Sequence, residues 1–393
     1  MSGPGKKYLL ILLGLAVLVG VFLAVELRKP PTADAAATPA GAPAEPAAAP
    51  ALPAGPVLND AAIREKVIAY VRERFGMPST VTVTADAFKP SAHADFEESV
   101  VHTDNGKNKS DNSVLVTKDQ KWLVVGKLVP VKSDPKAELI ASLREQFKIP
   151  ATTNISASDF RPSAYPRLLA STVSIVNPNK PPETQDFYLT SDRQALVVGG
   201  IFNLTENLRK TALKTIDTVN QARLGPANAP VTIVEYADLQ CPSCARMHDL
   251  LENDIMKKYP GHVRVIFKEF PLASIHEWTL MGSIANQCVY QINPSLYSPF
   301  RSLLYKNQMG INAGNARELM LTYGEQLGID RLRLAGCIDS KASLPRVEAN
   351  FLEGKKIGVQ STPTLFINGQ MMVGLPQAEE IHKRVDEALR TGK

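Results

Sequence analysis

The stretch "VEYADLQCPSCARMHDLL", residues 234–251, holds two cysteines, Cys241 and Cys244, with two residues between them. An apolar run typical of a buried strand precedes the pair, and a helix-prone segment follows it. Cysteines at this spacing serve as metal ligands, as a structural disulfide, or as a reactive dithiol that exchanges electrons with other disulfides. The surroundings of the pair decide among these chemistries.

Zinc and a purely structural bridge are the two less well supported alternatives. A structural zinc site needs four ligands, yet the chain has only four cysteines, and Cys288 and Cys337 are isolated from each other in the sequence. His248 would lie one helical turn past Cys244 on the same helix. A bridge between Cys241 and Cys244 would close a very short loop, which constrains the unfolded chain little.

A redox pair has a physical explanation at this position. Cys241 is expected where a strand ends and a helix begins, with Pro242 in the first helical position. Free backbone N–H groups and the positive end of the helix dipole stabilise an anion there, which lowers the pKa of the thiol. Cys241 would then be the nucleophile, and Cys244, one turn into the helix, would resolve the mixed disulfide.

The two cysteines must be positioned by a sheet and its helices, and the chain after residue 222 contains segments that predict both. The predicted order is strand, CxxC, helix, strand, helical insertion, hairpin and helix. The segments are "VTIVEYA" (231–237), a helix that stops near Tyr259, "HVRVIFKEF" (262–270), a helix-rich stretch from 274 to 349, a hairpin with a type I′ turn at Asn368-Gly369, and a helix starting near Gln377.

Two motifs in this region resemble the DsbA-like branch of the thioredoxin superfamily. They are "GPANAPVTIVEYADLQCPSC" (225–244) and "GVQSTPTLFINGQ" (358–370), and the similarity covers about residues 222–393. The resemblance implies an α/β thioredoxin-like fold with a helical insertion. It also implies a cis peptide bond between Thr362 and Pro363, facing the disulfide, in a loop that binds the backbone of an extended substrate.

Two further site residues follow from the same resemblance. Glu235 lies six residues before Cys241 and matches the buried acid that the family uses in proton transfer at the resolving cysteine. The alternative is a solvent-facing Glu235 on its strand, with Asp238 also nearby. The most oxidising family members carry Pro-His between the cysteines, whereas this chain has Pro242-Ser243, so we expect a weaker oxidant and leave the direction of electron flow open.

The remaining cysteines, Cys288 and Cys337, fall in the predicted helical insertion. The segments "ANQCVYQ" and "LAGCIDS" match places where some DsbA-like proteins carry a second, structural disulfide. In an exported domain, pairing is favoured over two free thiols. The resemblance therefore implies a bridge between these two cysteines, with free buried thiols as the alternative.

An internal repeat precedes the cysteine-containing region. "IAYVRERFGMPSTVTVTADAFKPSA" (68–92) matches "IASLREQFKIPATTNISASDFRPSA" (140–164), and "LVTKDQKWLVVGKL" (115–128) matches "YLTSDRQALVVGGI" (188–201). Each unit reads as a short helix, then strands, then a hairpin that turns at Asp119 or Asp192. We therefore predict two α+β repeat domains, 59–131 and 132–205, which contain no cysteine and serve as scaffold or interaction modules.

The repeats are similar to the N-terminal dimerisation domain of the periplasmic isomerase DsbC, over roughly residues 59–205. In that family the domain pairs two chains and shapes a hydrophobic cleft for misfolded substrates. Two copies in one chain leave three arrangements open: the copies pair with each other, they pair across a homodimer, or they act as spacers.

Three segments complete the predicted domain plan. Residues 206–223 read as a connector helix, with Thr205 as N-cap and an end at Gly225-Pro226 before the thioredoxin-like domain at 224–393. Residues 1–29 contain a charge-free apolar run from Tyr8 to Val25, long enough for a membrane anchor. An uncleaved anchor is favoured over a cleaved signal peptide. Residues 30–58 are a Pro/Ala-rich linker.

Composition restricts the function classes further. The net charge of +5 is spread along the chain, and no basic cluster interleaved with aromatic residues predicts binding to nucleic acid. No metal or organic cofactor is implied. We expect a single-pass protein of the bacterial inner membrane with its soluble domains in the periplasm. It would act on cysteine-containing exported proteins with a membrane or periplasmic redox partner, as an oxidase, isomerase or reductase; the rival from another class is a chaperone or assembly module.

Overall fold

The computed structural model describes residues 58–146, 148–176 and 183–392. The predicted anchor at 8–25 and all of the predicted linker except Leu58 lie outside these residues. None of the helices in the described ranges is long and apolar enough to cross a membrane. Within the described chain there are two compact units: one holds the residues up to Val67 with Thr84–His102 and Ser110–Thr205, and the other holds Ile68–Val83, Thr103–Lys109 and Glu206 onwards.

The N-terminal half contains a ten-stranded sheet and two helices in the order helix, five strands, helix, five strands. The first five strands follow α1 (Asp60–Arg74), and the second five follow α2 (Pro135–Gln146). The strands are β1 (Thr82–Ala85), β2 (Lys89–Pro90), β3 (Phe96–Asp104), β4 (Lys109–Thr117), β5 (Trp122–Pro130), β6 (Asn154–Ala157), β7 (Arg161–Pro162), β8 (Leu168–Val176), β9 (Glu183–Thr190) and β10 (Ala195–Asn203).

The predicted hairpin turns are confirmed in both halves of this sheet. Strands β4 and β5 pair antiparallel around the turn that contains Asp119, and β9 and β10 pair antiparallel around the turn that contains Asp192. The main path through the sheet is β1-β3-β4-β5-β10-β9-β8-β6, so β5 and β10 lie at its centre. They pair antiparallel along nine residues each.

The C-terminal region contains a five-stranded mixed sheet with strand order β11-β13-β12-β14-β15. Its strands are β11 (Arg223–Leu224), β12 (Val231–Ala237), β13 (Val263–Glu269), β14 (Thr364–Ile367) and β15 (Gln370–Val373). Strand β12 is parallel to β13 and antiparallel to β14. The predicted strands at 231–237 and 262–270 are confirmed, and Asn368 and Gly369 both have positive φ, as a type I′ hairpin turn requires.

Helices surround this sheet, five of them between β13 and β14 as the predicted insertion. Helix α4 (Pro242–Leu250) continues through a π-helical turn (Leu251–Ile255) into a last turn (Met256–Lys258). The insertion holds α5 (Thr279–Ile292), α6 (Tyr297–Asn307), α7 (Ala316–Gln326), α8 (Arg331–Asp339) and α9 (Leu344–Lys356), with short 3₁₀ turns at Pro294–Leu296 and Gln308–Gly310, and α10 (Ala378–Thr391) ends the chain. A buried apolar cluster joins the insertion helices to Cys244.

The connector helix is shorter than predicted. Helix α3 covers Leu208–Thr215, and Asn207 rather than Thr205 is its N-cap, because the Asn207 side chain accepts a hydrogen bond from the Lys210 N–H. The helix ends at the β-branched Ile216, which has extended backbone geometry. Further along, residues 223–224 form β11 beside β13 instead of continuing the predicted helix.

Candidate active site

Cys241 lies at the junction of a strand and a helix. Strand β12 ends at Ala237, Cys241 is the N-cap of α4, and Pro242 occupies the first turn of that helix. Sequence reasoning placed the cysteine at this junction. The first backbone N–H groups of the helix have no intrahelical acceptor, so they point towards the sulfur and favour its anionic form.

The two thiols of the pair have opposite environments. Cys241 is half-buried, whereas Cys244 is fully buried, and both are free thiols. Hydrogen bonding from the Cys244 side chain, followed by the backbone N–H of Cys244, lowers the pKa of Cys241 from 9.0 to about 6, against the opposing effect of burial. Burial raises the pKa of Cys244 well above its ordinary value. The outer cysteine is therefore the nucleophile and the inner one stays protonated.

The loop before β14 lies beside the outer cysteine. The peptide bond between Thr362 and Pro363 is cis, and the Cys241 thiol donates a hydrogen bond to the Thr362 carbonyl oxygen at 3.6 Å. The structure thus brings together Cys241, Pro242, Thr362 and Pro363 from segments more than a hundred positions apart in the sequence.

The pH dependence of alkylation checks the assignment of the nucleophile. The rate of carboxamidomethylation of Cys241 is expected to rise with pH through a midpoint near 6 and to level off above it, because the thiolate is the reacting species. The measurement is the iodoacetamide rate from pH 4 to 9, read by peptide mass. The denatured chain is the control, and its midpoint should return towards about 8.5. A folded-state midpoint near that ordinary value would contradict the assignment.

Glu235 is buried in the core, close enough to Cys244 to act on its pKa. It is fully shielded from solvent, so the alternative of a solvent-facing Glu235 is wrong. Its Oε2 accepts a hydrogen bond from the Arg301 guanidinium at 2.7 Å, and Arg301 is itself only 2% exposed. Burial raises the pKa of Glu235, while the charge of Arg301 opposes that shift. The carboxyl also contributes to the raised pKa of Cys244.

The other polar groups near the pair do not form a metal site. Ser243 accepts a hydrogen bond from Arg246 at 3.2 Å. His248 is buried, its Nε2 pairs with the Ser302 hydroxyl at 2.8 Å, and burial lowers its pKa to about 3. Across the residues that the structure describes, no group of three or more His, Cys, Asp or Glu side chains is arranged to hold a metal ion.

Sequence reasoning missed the role of His276. Its Nδ1 lies 2.9 Å from Oδ2 of the fully buried Asp238. The same carboxylate also accepts hydrogen bonds from the Gln240 N–H, the Leu272 N–H and the Thr279 hydroxyl. The bond to Asp238 raises the pKa of His276, and the nearby Cys241 thiolate adds to that shift. The raised pKa favours the positively charged form of the His276 imidazole, whereas Ser243, within the dipeptide, offers only a hydroxyl.

Removing the imidazole tests this electrostatic coupling. The His276→Ala variant is expected to raise the pKa of Cys241 above about 6, because the thiolate loses a neighbouring positive charge. The measurement is the same alkylation profile. His262→Ala is the matched control, since His262 is exposed and bonds the Pro260 carbonyl instead. An unshifted midpoint in His276→Ala would show that the imidazole does not act on the thiolate.

Cys288 and Cys337 are joined by a disulfide. The bond links α5 to α8, and the two Cα atoms are 5.9 Å apart. It closes a loop across the insertion, in which the two cysteines are separated by 49 positions. The alternative of two free buried thiols is therefore wrong.

Loss of this bridge is expected to destabilise the C-terminal domain. For a loop of this length, the chain-entropy argument gives a loss of about 4 kcal/mol for the Cys288→Ala/Cys337→Ala variant. The measurement is the urea unfolding curve of the variant against that of the wild type. The alkylation profile of Cys241 is the internal control and should not change. An unchanged unfolding midpoint would contradict the stabilising role of the bridge.

Part of this chain is similar to known proteins. A family model described as Thioredoxin matches residues 217–387. The C-terminal domain is thioredoxin-like. This chain is 24% identical to the "Probable disulfide bond formation protein D" of Bacillus cereus over 175 residues, which are 43% of this chain and 79% of the relative. The crystal structure of oxidised BdbD from Bacillus subtilis aligns with 44% of this chain and 95% of its own, at 23% identity and a TM-score of 0.41.

A protein of a different kind also matches part of this chain. A Na⁺/H⁺ antiporter, NhaA 3 of Salinispora tropica, is 25% identical over 169 residues. The match spans 43% of this chain but only 25% of the antiporter, so this chain covers about a quarter of that relative's length.

Proposed function

We propose that this chain is a thiol–disulfide oxidoreductase of the DsbA type, which forms or exchanges disulfides in exported proteins. The observation that carries the proposal is the half-buried Cys241 thiol, with its pKa of about 6, next to the fully buried Cys244. The similarity to the Bacillus cereus protein, a probable disulfide bond formation protein, supports the same chemistry. No organic cofactor is required, because the two sulfurs carry the electrons.

In the oxidising direction, a substrate thiolate attacks Cys241 of the oxidised pair. The bond between Cys241 and Cys244 breaks, a mixed disulfide forms, and the Cys244 thiolate takes up a proton, with Glu235 as the proposed proton donor. A second substrate thiolate then attacks the substrate sulfur and releases Cys241 as a stabilised thiolate. The substrate loses two electrons and the pair gains them. A membrane or periplasmic partner must remove them again.

The Thr362–Pro363 loop is proposed to hold the substrate backbone during this exchange. The Thr362 carbonyl lies within reach of the Cys241 sulfur, so a peptide attached to that sulfur would run along the loop. Backbone recognition suits an enzyme whose substrates share cysteine and little else.

We place the enzyme at the bacterial inner membrane, facing the periplasm. The apolar run from Tyr8 to Val25 supports a single-pass anchor, and the Cys288–Cys337 disulfide supports an oxidising compartment. The Pro/Ala-rich stretch would separate the anchor from the folded part.

Isomerase activity is the second candidate, and the repeats before the redox domain favour it. Two assays separate the candidates: oxidation of a reduced cysteine-containing protein, and reactivation of the same protein with scrambled disulfides. We expect oxidation with the wild type and none with Cys241→Ser. Reactivation without net oxidation would make the protein an isomerase. Full function of Cys241→Ser in the cell would overturn the redox proposal in favour of a chaperone.

A further inference from the structure

Strands β5 and β10, at the centre of the N-terminal sheet, are equivalent strands of the two repeats, and their pairing is symmetric about a two-fold axis. Residues of β5 correspond to residues of β10 at an offset of 73, and Gly126 therefore corresponds to Gly199. In the antiparallel ladder, Gly126 pairs with Gly199 itself. The flanking pair of Val124 with Ile201 is the symmetry equivalent of the pair of Leu128 with Val197. A contact between equivalent positions is the mark of an isologous interface.

Backbone hydrogen bonds at both ends of the ladder repeat the same symmetry. The Val131 N–H donates to the Gln194 carbonyl at 2.8 Å, and the Leu204 N–H donates to the Lys121 carbonyl at 2.8 Å. Val131 corresponds to Leu204, and Lys121 corresponds to Gln194, so each bond is the symmetry equivalent of the other. At the centre, both glycines have φ of +147°, and a Cβ added to either would lie 2.1–2.2 Å from a carbonyl oxygen of the other strand. Glycine is therefore required at both positions.

The apolar core beside this ladder is also shared between the two repeats. One buried cluster contains Phe96 and Val124 from the first repeat with their equivalents Leu168 and Val197 from the second. Each repeat contributes matching positions, so neither repeat contains this core alone.

A charge pair makes the interface asymmetric in one respect. Asp95 of the first repeat forms a salt bridge with Arg167 of the second, and the two occupy equivalent positions. Pairing of two first repeats would place aspartate against aspartate, and pairing of two second repeats would place arginine against arginine. Like charges at close range disfavour both homotypic pairings.

We infer that the two repeats form a two-fold dimer within one chain, specified by the glycine pair and by the Asp95–Arg167 pair. The partner of the first repeat is the second repeat of the same polypeptide. Strands β5 and β10, the equivalent strands through which two copies would join, already pair with each other. One chain with one CPSC motif therefore holds both members of the pair. This inference does not depend on the direction of electron flow.

Hydrogen exchange of the full chain in detergent tests the pairing. In Gly126→Val, the amides of residues 122–130 and 195–203 are expected to lose protection together, because the added side chain meets the backbone of β10. Lys127→Val is the matched control: it introduces the same residue at the neighbouring exposed position and should leave protection unchanged. Loss of protection confined to β5 would overturn the inference.

Charge exchange separates pairing within a chain from pairing between chains, and it needs no disruptive substitution. Asp95→Arg and Arg167→Asp are each expected to speed amide hydrogen exchange in β5 and β10 by about tenfold. The double variant, which restores opposite charges, is expected to restore protection. The two single variants are then refolded together from denaturant. Pairing within the chain predicts no rescue, since each chain carries like charges at both positions. Restored protection in the mixture would show that the repeats pair between chains. Unrestored protection in the double variant would show that the Asp95–Arg167 pair does not specify the pairing. Either result would overturn the inference.

Discussion

Cys244→Ser is expected to turn the protein from a catalyst into a covalent trap for its substrates. Cys241 is half-buried and remains a reactive thiolate, so it attacks a substrate disulfide and forms the mixed disulfide. The inner thiol that would resolve this intermediate is missing. Each chain therefore reacts with one substrate and stops. The measurement is the yield of cross-linked product on a non-reducing gel and the number of turnovers with a disulfide-containing protein.

Two controls define this result. Cys241→Ser should give neither cross-link nor turnover, because Cys244 is fully buried and its raised pKa keeps it protonated. Cross-linked product must disappear on addition of dithiothreitol. Multiple turnovers by Cys244→Ser would mean that substrate thiols resolve the intermediate without the inner cysteine, and the assigned role of Cys244 would be wrong.

Arg301→Leu is expected to lower the free energy of unfolding by about 3–5 kcal/mol, the usual cost of removing one partner from a buried ion pair. Arg301 is 2% exposed and bonds both Glu235 at 2.7 Å and the Tyr305 hydroxyl at 3.1 Å. Its guanidinium also lies 4.3 Å from the ring centre of Phe267. Removal leaves the buried Glu235 carboxyl without its guanidinium partner.

The matched control is Arg317→Leu, which breaks an exposed pair. Arg317 bonds Asp339 at 2.7 Å, with side chains 45% and 52% exposed, and such pairs contribute about 1 kcal/mol or less. A second variant, Glu235→Leu/Arg301→Leu, removes both members of the hydrogen-bonded pair and should recover part of the stability. The measurement is urea unfolding of all four proteins. Equal losses for Arg301→Leu and Arg317→Leu would contradict a buried, coupled pair.

The sequence predicted the parts of the site that depend on local order. The apolar run at 231–237, the CPSC motif and the Asn368-Gly369 turn each determine their own backbone, so the strand, the helix start and the hairpin are where they were expected. The position of Cys241 at a helix start then follows from Pro242 and from the length of the strand before it.

The parts that were missed depend on tertiary contacts. His276 and Asp238 are 38 positions apart and meet only in the folded domain. Arg301 had a weak signal, because it lies four positions from both Tyr297 and Tyr305 on an otherwise apolar helix face, which indicates a buried charge. Its partner Glu235 lies 66 positions away and could not be assigned from spacing.

The predicted length of the connector helix was wrong, also because of a tertiary contact. Helix propensity favoured continuation to Leu224, but β-branched residues from Thr215 onwards weaken the helix, and Asn220 has positive φ. Pairing of β11 with β13 fixes an extended conformation at 223–224 and overrides the local preference.

The reduction potential of the Cys241–Cys244 pair decides whether this protein oxidises its substrates. The pKa of Cys241, about 6, lies between the values of about 7 in thioredoxin and about 3.5 in DsbA. A stabilised thiolate stabilises the reduced form and makes the pair an oxidant. The measurement is equilibration in glutathione buffers, with Cys288 and Cys337 followed separately by mass. We expect a potential near or above about −180 mV, whereas a potential near about −270 mV would mean that the protein donates electrons and is not an oxidant of its substrates.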